Sequence, residues 1–154
     1  MKRLYQDHPI VGIGVVIVDQ GKIVLIKRSN DPAKGKWAVP GGIVELGEST
    51  EDAVIREAKE ETCLTVENPR LLDVVTQVVY DDESKLKYHH IIIDYLVDVK
   101  SGDIQAASDA AELHWVPFNQ VETYDLTDSF RRFFKNNKEK IEKVSSYPNR
   151  TFLQ

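Results

Sequence analysis

Cysteine occurs once in these 154 residues, at Cys63. An intrachain disulfide and a cysteine-cluster metal site are thereby excluded. No apolar run approaches the roughly 20 residues that a membrane-spanning helix needs. The opening MKRLYQDHP is charged, and the apolar run behind it is broken by glycine and ends at Asp19, so no signal-peptide core is present. Positive charge is also in deficit. Twenty Lys and Arg stand against 25 Asp and Glu, for a net charge of −5. That balance argues against a nucleic-acid duplex as the main ligand. No internal repeat and no second-domain pattern is visible. A single domain over residues 1–154 is expected, cytoplasmic by default and with no membrane partner. Residues 145–154 carry no pattern and read as a flexible tail.

The chain has enough apolar residues, 42%, to build a core rather than stay disordered. Residues 10–18 (IVGIGVVIV) read as a strand buried on both faces. The D-x-G group at 19–21 signals a hairpin, and residues 22–27 (KIVLIK) are the returning strand. Residues 28–37 are polar, with Pro32 and Gly35, and read as a loop. A short strand at Ala38–Val39 is stopped by Pro40. Ser49 or Thr50 caps a helix that runs to about Thr62, with Val54, Ile55, Ala58 and Thr62 as its apolar side. Residues 71–79 and 88–99 read as long strands joined by the turn DDESK. A loop follows, then a short strand at 113–116 ended by Pro117. One or two helices span 126–144, because Phe130, Phe133 and Phe134 recur at helical spacing. The whole is α/β: a mixed sheet between helices.

Charge is distributed unevenly. Residues 45–61 are acidic, and residues 131–143 are mostly basic. Within the acidic stretch, Glu57, Glu60 and Glu61 lie three and four residues apart, which stacks them on one side of a helix. Like charges so placed repel unless a counter-ion intervenes. A divalent cation is the natural one, and Gly41 and Gly42 just upstream suggest backbone shaped to meet a ligand, or else a plain turn beside Pro40. A solvated helix face is the alternative for the three glutamates.

The segment 42–64 resembles the Nudix signature, G-x5-E-x7-R-E-U-x-E-E-x-G-U, where U is apolar. Gly42, Glu48, Arg56, Glu57, Ala58, Glu60, Glu61 and Leu64 stand at its positions. The upstream KGKWAVPGG is similar to the usual approach to that motif. The one departure is Cys63, where the family has glycine. Glycine there ends the helix, often with positive φ, so cysteine implies local strain.

The resemblance implies the Nudix fold, an α/β/α sandwich with a central mixed sheet. It also implies hydrolysis of a phosphoanhydride in a nucleoside diphosphate linked to another group. Divalent ions neutralise such an anhydride and acidify water; carboxylate oxygens suit Mg²⁺, or Mn²⁺. Glu57 and Glu61 would be primary ligands. Glu60 would ligate a second ion or orient the water, and the Gly41 carbonyl could complete a coordination sphere. Arg56 could hold Glu60, and Glu48 either closes the loop against Arg56 or joins the metal shell.

Outside the motif the candidates are weaker. Glu112, Asp109 and Asp103 are acids that could serve as base or extra ligand; for Glu112 a structural role competes. Arg28 resembles a family arginine that approaches phosphate or ribose, against a solvated strand-end charge. Trp37 is either core or a base-stacking wall. Tyr80 could stack on a base. His89 and His90 point to opposite faces of a strand, so one of them could reach substrate, and His89 is taken as the candidate. The stretch HHIIIDYLV resembles the texture of enzymes acting on nucleotide sugars, ADP-ribose in particular. ADP-ribose or a similar nucleotide sugar is therefore the leading substrate. The alternatives are a (deoxy)nucleoside triphosphate pyrophosphohydrolase, including clean-up of oxidised nucleotides, and a non-catalytic nucleotide sensor. An RNA-cap or dinucleoside polyphosphate substrate is also open. A homodimer fits the family's habit.

Overall fold

The computed structural model describes residues 4–31, 33–105 and 112–145. The patternless tail beyond 145 and the candidate Asp109 lie outside the described residues. The chain runs β1 (Ile10–Asp19), β2 (Lys22–Lys27), β3 (Trp37–Ala38), β4 (Gly41–Ile43), α1 (Thr50–Thr62), β5 (Thr65–Tyr80), β6 (Leu86–Ser101) and β7 (Glu112–Pro117). A short 3-10 helix (Phe118–Thr123) and α2 (Asp128–Ser145) complete it.

β1 is the axis of the mixed sheet. It pairs in parallel with β6, and antiparallel with β2 at one end and β4 at the other. The order is β3-β2-β1-β6-β5, with β4 on β1 and β7 on β2. Helices cover both faces, which explains why β1 reads as a strand with apolar residues on both sides. Val15 and Ile17 join Ala53, Val54 and Ala58 of α1 in one cluster. Val16 joins Phe130, Phe133 and Phe134 of α2 in the other.

The β1–β2 hairpin turns on Gln20 and Gly21, both with positive φ (51° and 75°), as a two-residue turn matching the strands' twist requires. Several sequence expectations shift in detail. The short strand before Pro40 is Trp37–Ala38, because Trp37 pairs with Lys27. The helix buries Ala53 instead of Ile55, which is 38% exposed. Val54, Ala58 and Thr62 face the core as expected, and Ala53 lies beside them where a small side chain lets helix and sheet approach. β5 starts at Thr65, not Leu71. A register shift between Glu67 and Arg70, with Asn68 at φ 54°, carries the strand past Pro69. The C-terminal segment forms one helix, α2, entered through Thr127, whose Oγ1 accepts the Phe130 N–H at 3.2 Å.

Candidate active site

β4 brings the two glycines against β1. Neither is a turn glycine. Both lie in a strand, and space is what they supply. A Cβ on Gly41 would overlap the Ile13 carbonyl oxygen, and one on Gly42 would overlap the Glu57 carboxylate. The helix that carries the acids is set in place at its N-terminal end. Ser49 Oγ caps it by accepting the Asp52 N–H at 3.1 Å. Tyr95 Oη from β6 lies 2.6 Å from Thr50 Oγ1 and donates to Glu51 at 3.0 Å.

Arg56 is the hub of the acidic stretch. Its Nε and Nη2 donate to the two oxygens of Glu48 at 2.7 and 2.9 Å, a bidentate pair. Nη1 donates to Glu57 Oε1 at 2.8 Å and to Glu60 Oε2 at 3.2 Å. Nη2 also reaches the Ile43 carbonyl of β4 at 3.2 Å, tying helix to strand. Of the two readings of Glu48, loop closure is the one this geometry favours. Glu48 also accepts the Glu45 N–H at 3.0 Å. Those bonds, Arg56 first, hold its carboxyl down at about 2. Glu57 moves the other way: burial raises its pKa, against the opposing pull of Arg56. Glu61 Oε1 accepts the Gly41 N–H at 2.7 Å.

Glu57, Glu60 and Glu61 line one cavity of about 660 Å³ together with Gly41 and Gly42, a size typical of small-molecule sites. The donor set suits a hard divalent cation, and the close seating of Glu57 on Gly42 forms part of a cradle that a methyl group would fill. Among the described residues, no group of three or more acidic, histidine or cysteine side chains is placed to hold an ion as it stands. The physical reason is visible in the bonding, since Arg56 takes Glu57 and Glu60 while Gly41 takes Glu61.

Arg28 lines the same cavity. Five other candidates outside the motif are not among its lining residues. Trp37, 9% exposed, packs in the core against His114 and Tyr124, with ring centroids at 4.8 and 5.0 Å. Tyr80 ends β5 at 61% exposure. Glu112, on β7, pairs with Lys27 at 3.8 Å and His114 at 3.3 Å. Asp103, in the segment after β6, is also absent from the lining. Of the two histidines, His90 rather than His89 faces the cavity, and Gln6 Nε2 lies 3.2 Å from its Nε2. Alternation separates the pair, but only strand pairing and α2 decide which side is the cavity.

Sequence reasoning missed Asp94. It lies on β6 beside Gly14 of β1, is 5% exposed and lines the cavity. Burial, then the charge of Asp73, pushes its carboxyl up to about 7. The available signal was a lone acid in an apolar strand, in phase with His90. A carboxyl raised in the folded state binds more protons there than in the unfolded chain. Stability therefore falls as pH rises from the ordinary aspartate range to about 7. Asp94→Asn should remove that slope and stabilise the protein at pH 8 by about 2–4 kcal/mol; urea titrations at pH 5 and pH 8 check it. An equal pH response in both proteins would contradict the shift.

The departure at Cys63 is also explained. It caps α1 at φ 66°, ψ 8°, with its N–H on the Lys59 carbonyl at 3.0 Å. The left-handed conformation that glycine adopts freely is thus imposed on cysteine. Cys63→Gly should raise stability by up to about 1 kcal/mol, since relief of strain is partly offset by the looser unfolded chain. A thermal melt in which the variant is less stable would refute this.

Comparison with known proteins agrees with this architecture. A NUDIX domain model matches residues 8–136. An ADP-ribose pyrophosphatase of Methanocaldococcus jannaschii is 42% identical over 119 residues, covering 77% of this chain and 68% of that protein. Among solved structures, a MutT NUDIX hydrolase from Burkholderia pseudomallei superposes with a TM-score of 0.72 at 32% identity, covering 84% of this chain and 98% of that one. The NUDIX domain of Shewanella oneidensis NrtR, complexed with ADP ribose, shares the fold with a TM-score of 0.73 at 20% identity, covering 88% and 90%. The chain belongs to the Nudix family. Within it, this is a Nudix hydrolase, and hydrolases of this family generally use divalent metal ions. Among the described residues, no helix is long and apolar enough to cross a membrane.

Proposed function

We propose that the protein hydrolyses the phosphoanhydride of a nucleoside diphosphate derivative, with ADP-ribose or a related nucleotide sugar as substrate. The products would be a nucleoside monophosphate and a sugar phosphate. One observation carries this reading: three glutamates and a glycine strand meet at a cavity of nucleotide size that also holds Arg28. The 42% identity to an ADP-ribose pyrophosphatase supports the choice of substrate.

Glu57 and Glu61 would hold Mg²⁺, for which Mn²⁺ could substitute, with Glu60 and the Gly41 carbonyl as further donors. The bound ion would neutralise the diphosphate and acidify the attacking water. Water adds to one phosphorus, and the bridging P–O bond breaks. The second phosphate leaves with the electron pair of that bond. Glu60 orients the water and accepts its proton. Arg56 keeps Glu60 and Glu57 in register, and Arg28, in the same cavity, meets phosphate charge.

A panel of nucleotides with Mg²⁺, with products resolved by phosphorus position, tests this. ADP-ribose should give AMP and ribose 5-phosphate. Release of pyrophosphate from a nucleoside triphosphate, with no AMP from ADP-ribose above background, would replace the reading with a triphosphate pyrophosphohydrolase. Binding without turnover of any member would leave a nucleotide sensor.

A further inference from the structure

Asp94 is a buried acid that the proposed hydrolysis does not use. Its oxygen lies directly over Gly14, where a Cβ would overlap it. Among the described residues no hydrogen bond reaches its carboxyl; burial and the charge of Asp73 are what act on it. Asp73 is itself engaged, accepting the Asn137 amide at 3.1 Å and the Val74 N–H at 2.7 Å. Among the described residues no polar side-chain atom is sealed off without a partner, so the Asp94 oxygens open on the cavity they line. Val75, Ile92, Phe130 and Phe133 give that cavity apolar wall, beside the polar Gln77, His90, Thr127 and Ser129. The flat face of a ring can pack on those apolar side chains while its edge meets the carboxyl.

Position agrees. Gly41, Gly14 and Asp94 are neighbours across β4, β1 and β6. At about 4.8 Å per strand, Asp94 stands roughly 10 Å from the glycine strand beside the glutamates. That separation suits one nucleoside, with its phosphate at the acidic end.

We infer that Asp94 is the base-recognition group of this site, hydrogen-bonding the edge of a purine whose amino group stands beside a ring-nitrogen acceptor, as in adenine. The assignment rests on the proposed function and names the base its substrate carries. A protonated carboxyl offers one donor and one acceptor side by side, the complement of that edge. Its raised pKa keeps this form populated near neutral pH.

Calorimetric titration of the full chain with AMP and with ribose 5-phosphate tests the inference apart from turnover. Asp94→Leu, close in shape and without polar atoms, should weaken AMP about tenfold or more and leave ribose 5-phosphate unchanged. Asp94→Asn, which keeps a donor and an acceptor, should recover most of the AMP affinity. Unaltered AMP binding by Asp94→Leu, or equal losses for both probes, would overturn the assignment. If Asp94→Leu does not fold, the wild-type protein supplies the measurement. Purine riboside monophosphate, which lacks the amino group, should bind about tenfold more weakly than AMP, and equal affinity would overturn the assignment. An inert hydrolysis panel with amino-dependent AMP binding would sink only the enzymatic reading. AMP release from ADP-ribose with base-independent binding would sink only the role of Asp94.

Discussion

Glu61→Gln should lower kcat on the order of a hundredfold or more while the protein stays folded. The substitution is nearly isosteric, and the amide oxygen can still accept the Gly41 N–H that Glu61 Oε1 takes at 2.7 Å. What it loses is a negative charge. A neutral amide is a poor ligand for a hard divalent cation, so the variant should also need more Mg²⁺ to reach its own maximum. Steady-state rates across a magnesium titration, paired with a thermal melt, separate chemistry from folding. Turnover near the wild-type value would remove Glu61 from its proposed role.

The second large effect is expected at Arg56. Its side chain is 23% exposed, and its closest partners Glu48 and Glu57 are 15% and 12% exposed. Arg56→Ala leaves the two largely covered carboxylates without their common cation, and Glu57 is already held against burial. Removing one partner of a fully buried pair costs about 3–5 kcal/mol; with partial solvent access, about 2 kcal/mol is expected here. Activity should fall as well, because Glu57 and Glu60 lose their shared anchor. The sign with pH follows from Glu48. Its folded pKa is depressed to about 2, so the contribution is complete above the ordinary glutamate range and fades as pH falls toward 2. The gap between wild type and variant in urea unfolding should therefore be wide at pH 7 and narrow at pH 3. Arg56→Lys should not restore it, since an ammonium cannot match the fork that binds both Glu48 oxygens. A wild-type unfolding midpoint for Arg56→Ala would show that the network adds nothing.

The glutamate helix was legible because its information is local. The cap at Ser49, the i, i+3 and i, i+4 spacing of the acids and the reach of Arg56 to Glu60 depend on helical geometry alone. The β1–β2 hairpin was legible for the same reason. The strained helix end at Cys63 followed from the absence of glycine at a position that needs positive φ. The short glycine strand was harder. Gly41 and Gly42 signal a special backbone, but only pairing with β1 and the seat of Glu57 reveal that the need is space.

The periphery of the site followed other rules. Trp37, Tyr80, His89 and Glu112 are plausible ligand groups by chemistry, yet none lines the cavity. Each sits on or beside a strand whose facing is set by a partner far away in the chain. Trp37 is held by Lys27, Tyr124 and His114; Glu112 by Lys27 and His114. Asp94 was hidden by an apolar run that reads as core.

The chain by itself determined the elements and the acidic helix, because periodicity, caps and turn residues act between near neighbours. Tertiary structure alone decided which strand face became cavity. That choice arises when β1 pairs in parallel with β6, some 80 positions away, and α2, farther still along the chain, closes over the result.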